Sequence, residues 1–274
     1  MGRATVSRTP AAQYKKKTMA LRRFYIPPEA VDQGQAEITG TDAGHISRVL
    51  RLAANDTIEL FDGTGKGYRA RIVTASTRRI ALAIEASFPL QSESPIHITL
   101  AQAMLKDRKM DGLIRQLTEL GVDCWMPFHA ARSVPSSGVK GLNKRLARWE
   151  KIAVEAVKQC RRGRIPQILP VGDFASVLAA SESCDRKILF WEETNEAFEL
   201  PEKPVRRVML VLGPEGGFTP REVERAGAYG FLTAGLGPRI LRAETAALAA
   251  ITLVQYCFGD LGVSRPAAAN PSDG

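Results

Sequence analysis

The feature that most constrains the fold is a buried strand that runs into a glycine-rich turn and then a helix, in residues 208–227 (VMLVLGPEGGFTPREVERAG). Residues 234–260 (AGLGPRILRAETAALAAITLVQYCFGD) repeat this order with a different loop. Strand, turn and helix in alternation predict a parallel sheet covered by helices. Ligands of such sheets bind beyond the carboxyl ends of the strands. We therefore expect a ligand site where the two glycine loops meet.

The two loops are predicted to form a pocket whose walls are mainly backbone, because glycine lets a ligand approach amides and carbonyls closely. The glycines concerned are Gly213, Gly216, Gly217 and Gly237. Thr219 and Pro220 are predicted as the cap and first position of the following helix. A Rossmann site would need G-x-G-x-x-G and an acidic residue about 20 residues further on, and neither is present. Backbone walls suit the edge of an adenine and a ribose.

The alternation extends upstream to about residue 96. The predicted strands are IHITLAQAM, CWMPFHA, KILFW, RVMLVLG and FLTAGLG, and the predicted helices are GLIRQLTELG, LNKRLARWEKIAVEAVKQC, PREVERAGAYG and residues 243–258. The long helix keeps its apolar residues at helical spacing, with lysines and arginines in the remaining positions.

Basic side chains are concentrated in two stretches of a chain whose net charge is +9. Residues 1–23 hold seven basic and no acidic side chains, and residues 132–165 hold ten basic against two acidic. Either stretch alone is typical of a solvated surface. Together they indicate a polyanionic partner, and nucleic acid is the prediction.

Composition disfavours several other classes of protein. The four cysteines are scattered without C-x-x-C spacing, so reduced, buried thiols are expected rather than disulfides or zinc; they are Cys124, Cys160, Cys184 and Cys257. The three histidines lie in no metal or triad motif, and no metal is expected. No run approaches the roughly 18 apolar residues of a membrane span. We expect a soluble, cytoplasmic protein.

The segment from Arg22 to about residue 88 reads as a small β-rich module. Residues 57–61 and 68–73 flank DGTGKG, a hairpin turn signal whose spacing fits neither common phosphate loop. Residues 41–52 (TDAGHISRVLRL) predict a helix with Ile46, Val49, Leu50 and Leu52 on one face and Arg48 and Arg51 outside. A β-barrel with one helix and protruding arginines suits RNA binding, and residues 87–95 (SFPLQSESP) are the predicted linker.

The two ends of the chain are predicted to be disordered, residues 1–21 as a basic extension and residues 263–274 as a tail. The basic extension also resembles an organelle-import segment. Met19 is an alternative translation start.

The two glycine loops, LVLGPEGGFTPREVERA and LGPRILRAETAALAAI, resemble the knotted-loop motifs of the SPOUT superfamily of S-adenosylmethionine-dependent RNA methyltransferases. RRFYIP, HISRVLRL, LFDGTG, KMDGLIRQLTELGV and RWEKIAVEAVKQCRRGRIPQI are similar, in the same order, to the bacterial 16S ribosomal RNA uridine N3-methyltransferase family. The resemblance covers Arg22 to about Gly262. LKDRKMD and ARSVPSSG depart from the family pattern, which affects local RNA contacts.

The resemblance implies an α/β fold class. An N-terminal PUA-like β-barrel for RNA would occupy residues 22–90, and a SPOUT methyltransferase domain residues 95–262, with a parallel sheet and a trefoil-knotted C-terminal part. It implies S-adenosyl-L-methionine as cofactor, 16S rRNA or the small ribosomal subunit as partner, and a homodimer. Independently, apolar residues lie almost all the way round the helix at 243–258, which fits burial on two sides.

The loops supply the candidate site residues. Expected cofactor contacts are Leu212, Gly213, Pro214, Gly216, Gly217, Leu236, Gly237, Ile240 and Leu241. Arg239 and Arg242 are catalytic candidates that would stabilise the uridine anion or a flanking phosphate, although Arg242 could serve only in an ion pair. Glu215 is the third candidate, as a proton acceptor or as a residue that orders its loop, and Glu244 could accept a proton or complement a helix N-terminus.

Nine basic residues are candidates for RNA binding: Arg22, Arg23, Arg48, Arg51, Lys106, Arg108, Arg161, Arg162 and Arg164. Three alternatives stay open at the level of sequence. The first is a SPOUT methyltransferase acting on a ribose 2′-OH or on transfer RNA. The second is an RNA-binding factor with a degenerate pocket, and the third is an NAD-dependent enzyme.

Overall fold

A computed structural model describes residues 21–106, 108–133, 138–194, 196–198 and 204–262, with the backbone alone for residues 138–140. The predicted N-terminal extension, apart from Leu21, and the predicted C-terminal tail lie outside the described residues.

The N-terminal half forms a six-stranded sheet with the order β1-β4-β5-β6-β3-β2. Its strands are β1 (Arg23–Tyr25), β2 (Val31–Asp32), β3 (Gln35–Thr39), β4 (Thr57–Phe61), β5 (Lys66–Ala75) and β6 (Arg79–Pro89). The pair β1 and β4 is parallel and the other pairs are antiparallel. The predicted hairpin is confirmed, with a turn shorter than expected because β5 begins at Lys66. Two register shifts between β5 and β6 mark β-bulges, which bend strands.

The predicted helix after β3 is present, and Ile46, Leu50 and Leu52 of its predicted apolar face pack on the core, but the prediction for Val49 is wrong. The helix consists of α1 (Gly40–Gly44) followed by a π-helical turn, His45–Val49, in which Leu50 N–H donates to His45 O at 3.0 Å. Ile46 is buried, whereas Val49 is 66% exposed. A π-turn closes five residues apart, so positions after His45 rotate away from the spacing of an α-helix.

The C-terminal half is a parallel sheet with the order β10-β8-β7-β12-β11-β13, and β9 pairs with β8. Its strands are β7 (His97–Ala103), β8 (Cys124–His129), β9 (Gln167–Ile168), β10 (Gly172–Asp173), β11 (Arg186–Phe190), β12 (Arg207–Leu212) and β13 (Leu232–Ala234). Its helices are α2 (Lys109–Glu119), α3 (Gly138–Cys160), α4 (Phe174–Ala180), α5 (Pro220–Ala228) and α6 (Ala243–Phe258). The prediction of a parallel sheet covered by helices is confirmed.

Both faces of this sheet are covered. On one face, Leu113 of α2, Trp149 of α3 and Ile251 of α6 belong to one buried cluster. On the other face, Val177 of α4 and Ala226 of α5 belong to a second. Burial of each large aliphatic side chain contributes roughly 1.5–3 kcal/mol. The two clusters fix the strand ends from which the glycine loops emerge.

Three elements of the C-terminal sheet and its covering helices were not predicted, β9, β10 and α4. The signal for α4 was present, because Asp173 and Ser176 form a reciprocal capping box at its start. The predicted linker also begins too early, since residues 87–89 continue β6.

The halves meet where Gly65 N–H donates to Gly163 O and Ile165 N–H to Gly63 O, both at 3.0 Å. The trefoil knot and the domain boundaries remain predictions.

Candidate active site

A cavity of about 1360 Å³ lies at the carboxyl ends of β11, β12 and β13, which are neighbours in the sheet. Its walls come from the segments that follow these strands and from α6. They include Phe190, Trp191, Glu192, Glu196, Phe198, Leu212, Gly213, Pro214, Glu215, Gly217, Leu236, Gly237, Arg239, Ile240, Leu241, Arg242 and Leu248. Pockets for small ligands span roughly 300–1,000 Å³. The two glycine loops therefore meet, as predicted, at a cavity large enough for a ligand of that class.

The first glycine loop is held from two sides. Gln102, fully buried at the end of β7, donates its amide to Gly213 O at 3.1 Å. Arg132, in the segment after β8, donates to Gly216 O at 2.9 Å. Because both partners hold carbonyl groups, they fix the path of the backbone whatever side chains the loop carries.

Gly217 has a φ of +69°, in the region that side chains rarely adopt. A Cβ at this position would also overlap Oε1 of Glu192. Both the backbone conformation and the space around it therefore require glycine here.

The predicted cap of the next helix is confirmed. Thr219 is the N-cap of α5 and Pro220 its first residue, and Glu222 completes a capping box with Thr219. Oε1 of the buried Glu222 also accepts a hydrogen bond from Ala131 N–H at 2.8 Å. The start of α5 is thereby tied to the segment that carries Arg132.

Lys109 is a cavity residue that sequence reasoning missed. Its ammonium donates to Oε1 of Glu215 at 3.0 Å and lies 3.3 Å from Oε2 of Glu244 in an ion pair. The hydrogen bond that Lys109 donates to Glu215, with a further contribution from Glu244, raises the pKa of Lys109. The charge of Lys109 therefore joins the first glycine loop to the start of α6. Its position in a basic loop before a helix gave no sign of these partners.

This contact bears on the two candidate roles of Glu215. Oε1 of Glu215 also accepts from Lys106 N–H at 3.1 Å. Burial alone would raise the pKa of Glu215, but the hydrogen bonds from Lys109 and the backbone outweigh it, and the pKa is lowered. A carboxylate with a lowered pKa is a weaker base. The geometry thus favours the loop-ordering role of Glu215 over that of proton acceptor.

Arg239 and Arg242 both line the cavity and are exposed. Within the part of the chain that the structure describes, neither makes an ion pair or a side-chain hydrogen bond. The alternative that Arg242 serves only as an ion-pair partner finds no support among these residues. Both guanidinium groups are free to meet an anionic ligand.

Eight of the nine expected cofactor residues line the cavity, and Gly216 does not. The eight are Leu212, Gly213, Pro214, Gly217, Leu236, Gly237, Ile240 and Leu241. Gly216 instead accepts the hydrogen bond from Arg132, behind the loop.

Two of the nine expected RNA-binding residues are in the wrong environment for that role. The side chain of Arg23 is 7% exposed, pairs with Glu59 at 3.2 Å and lies over the ring of Phe61. Arg162 is 5% exposed and is held by Glu93 and by two backbone carbonyls. The residues that are exposed are Arg22, Arg48, Arg51, Lys106, Arg108, Arg161 and Arg164. Burial depends on tertiary contacts, so sequence spacing could not separate the two groups.

Cys124, Cys160, Cys184 and Cys257 are free thiols, as expected. No cluster of metal-ligating side chains occurs among the residues placed by the structure. No helix in that part of the chain has the length and apolar character needed to cross a membrane.

Comparison with known families defines the class of protein. Residues 92–255 match the RNA methyltransferase domain family, and residues 38–85 match the RNA methyltransferase PUA domain family. The chain therefore belongs to the RNA methyltransferases that combine these two domains, which confirms the fold class inferred from the loops.

The more particular family follows from individual relatives. The ribosomal RNA small subunit methyltransferase E of Buchnera aphidicola is 32% identical over 246 residues, which cover 89% of this chain and 96% of the relative. The enzyme of that name from Bacillus subtilis is 33% identical, and the match covers 80% of this chain and 89% of the relative. The crystal structure of the ribosomal RNA small subunit methyltransferase E from Neisseria gonorrhoeae, bound to S-adenosyl methionine, matches with a TM-score of 0.79 at 33% identity. The match covers 88% of this chain and 99% of that chain. The chain belongs to the ribosomal RNA small subunit methyltransferase E family.

Proposed function

We propose that this protein uses S-adenosyl-L-methionine to methylate N3 of a specific uridine in 16S ribosomal RNA. The observation that carries the proposal is the cavity formed by two glycine loops, with two unpaired arginines at its wall, in a chain of this family. We further propose that the enzyme acts in the cytoplasm, where small ribosomal subunits are found.

The residues present fit this cofactor. Gly213, Gly217 and Gly237 all line the cavity, so that backbone forms part of its wall, and nothing lies within 4 Å of the position that a Cβ would take on Gly237. Phe198 and Leu236 add apolar wall of the kind that packs against a nucleobase. Leu212, Gly213, Gly217, Leu236, Gly237 and Leu241 are the residues we assign to holding it. When bound, the cofactor supplies an electrophilic methyl group.

The remaining chemistry belongs to the chain. The uridine N3 carries a proton that must leave before it can act as a nucleophile, and it is accessible only when the base is unpaired. The positive charges of Arg239 and Arg242 favour the anionic base. A base held in line with the methyl group gains roughly 7–11 kcal/mol from positioning. Lys109 and Glu215 keep the first glycine loop in the shape that this alignment needs.

The RNA surface is proposed to include the exposed arginines of both halves, among them Arg22, Arg48, Arg161 and Arg164. Phosphate contacts of this kind contribute to affinity and orient the RNA, but they do not recognise its nucleotide sequence. Gly65 N–H donates to Gly163 O, which places the basic residues next to Gly163 beside the N-terminal sheet.

A homodimer is also part of the proposal. Tyr256 of α6 is 70% exposed and Ile240 of the second glycine loop 87% exposed, and Leu253 of α6 is also exposed. An apolar surface of this kind next to a cavity is typical of a protein interface. The face of α6 opposite the sheet is therefore assigned to a second copy of the chain.

Mass spectrometry of nucleosides from small-subunit ribosomal RNA tests the reaction in a strain that lacks this gene. We expect 3-methyluridine to be lost and to be restored by the intact gene but not by a Gly217→Trp variant. A persistent 3-methyluridine together with the loss of another methylated nucleoside would show that the target is different. No change in any nucleoside would favour an RNA-binding factor.

A further inference from the structure

Among the residues that the structure describes, six charged side chains line the cavity: Lys109, Glu192, Glu196, Glu215, Arg239 and Arg242. The acid of Glu215 is already neutralised by the ammonium of Lys109. The two arginines come from the loop after β13, and the two remaining acids come from the segment after β11. The segment after β11 therefore contributes acidic groups to the cavity wall, and the loop after β13 contributes basic groups.

Glu192 has an unusual position among these groups. Its carboxylate packs against Gly217, so closely that a Cβ on the glycine would overlap Oε1 and lie 3.0 Å from Cδ. Glu192 makes no hydrogen bond or ion pair with any residue that the structure describes. A carboxylate with unused acceptor capacity therefore lies directly on the loop proposed to hold the cofactor.

We propose that Glu192 binds the α-ammonium group of the methyl donor; this assignment rests on the function proposed above. The donor has two cationic centres, a sulfonium and an ammonium, and only the ammonium carries N–H groups that can donate to a carboxylate. The sulfonium loses its charge as the methyl group leaves. A carboxylate beside it would stabilise the ground state more than the transition state and would slow the reaction. The ammonium keeps its charge throughout, so Glu192 can hold it without that penalty.

The test is isothermal titration calorimetry of the full-length protein and its Glu192→Gln variant with three ligands. S-adenosylmethionine carries both cationic centres, S-adenosylhomocysteine carries the ammonium alone, and 5′-methylthioadenosine carries neither. Loss of one charge-assisted hydrogen bond weakens binding roughly 10- to 100-fold. We expect that loss for the first two ligands and unchanged binding of the third.

Glu193→Gln is the matched control, because Glu192 and Glu193 are both exposed but Glu193 does not line the cavity. It should leave the binding of all three ligands unchanged. Thermal unfolding of both variants without ligand should match that of the parent.

Several outcomes would overturn the assignment. Weaker binding of S-adenosylmethionine alone would place Glu192 at the sulfonium. Weaker binding of all three ligands would mean that Glu192 shapes the loop or contacts the adenosine that they share. An effect in Glu196→Gln but not in Glu192→Gln would give the role to the other acid. If the parent protein bound none of the ligands, the proposed function itself would fail.

Discussion

Nη2 of Arg162 lies 2.7 Å from Oε2 of Glu93, and both side chains are largely withdrawn from solvent. Arg162 Nη1 also donates to the carbonyls of Thr118 and Val122, at 3.0 and 2.8 Å. The other oxygen of Glu93 accepts from Gly163 N–H at 2.7 Å. This ion pair joins the segment between the two sheets to the ends of α2 and α3. It therefore holds the segment that follows β6 against the C-terminal sheet's helices.

Replacement of Arg162 by methionine should strongly destabilise the fold, because it leaves the Glu93 carboxylate and two carbonyls buried without their partner. Breaking a buried pair from one side costs about 3–5 kcal/mol. Urea unfolding followed by circular dichroism measures the change. Arg161→Met, at the exposed neighbouring position, is the control and should change stability by less than about 0.5 kcal/mol. Equal effects of the two variants would contradict a structural role for Arg162.

The same pair predicts a dependence of stability on pH. Burial alone would raise the pKa of Glu93, but the charge and hydrogen bonds of Arg162 and the backbone donors hold it below the ordinary value of 4.5. Glu93 thus contributes stability that is complete above that pH and is lost as the pH falls through the lower value of the folded state.

Urea midpoints from about pH 6 down to about pH 3 test this dependence, with Glu93→Gln as the comparison. The parent should lose more stability on acidification than the variant does. Burial, with an addition from the charge of Glu93, raises the pKa of the nearby Asp123, so Asp123 contributes with the opposite sign and partly offsets the difference between the two proteins. Parallel curves for the two proteins would contradict the prediction.

Replacement of Lys109 by methionine should weaken binding of S-adenosylmethionine, because Glu215 and Glu244 would lose the cation between them. Partly exposed pairs contribute up to about 1 kcal/mol, so the dissociation constant should rise by roughly two- to fivefold. Lys109→Arg should retain most of the affinity. Arg115→Met, on the exposed side of α2, should have no effect. If KM for the cofactor rises while the thermal stability of the variant is unchanged, Lys109 acts by positioning the first glycine loop and not by stabilising the fold as a whole.

The parallel sheet and the position of the cavity could be predicted because they depend on local patterns. Apolar runs define β7, β11 and β12, and the glycines that follow β12 allow a conformation such as that of Gly217. The carboxyl ends of neighbouring parallel strands necessarily meet at one edge of the sheet. That geometry also places Arg239 and Arg242, which follow β13, at the cavity.

The partners of charged side chains could not be predicted in the same way. Lys109 and Glu215 are 106 positions apart in sequence, and Arg162 and Glu93 are 69 apart. Their pairing depends on how α2 and the segment between the sheets pack. Arg162 was therefore expected to bind RNA, like its exposed neighbours Arg161 and Arg164, and Lys109 was overlooked.

Replacement of Tyr256 by aspartate should convert the proposed dimer to a monomer, because it places a charge in the apolar face of α6. Size-exclusion chromatography with light scattering measures the mass. Tyr229→Asp is the matched control, since Tyr229 is also exposed but lies at the end of α5. A dimer that survives Tyr256→Asp, or that is lost equally in both variants, would contradict the assignment of this face.

Two glycine-to-alanine variants compare a required glycine with a replaceable one. Gly217 has a positive φ and faces Glu192, so Gly217→Ala should cost roughly 1–2 kcal/mol of strain and displace the Glu192 carboxylate. Gly227 lies within α5 with nothing near its missing Cβ, so Gly227→Ala should stabilise the protein by about 0.5–1 kcal/mol. Thermal unfolding measures both changes, and titration with S-adenosylmethionine should show weaker binding only for Gly217→Ala. If Gly217→Ala bound the cofactor as the parent does, neither the conformation of the first glycine loop nor the Glu192 carboxylate that the new Cβ displaces would be needed for cofactor binding.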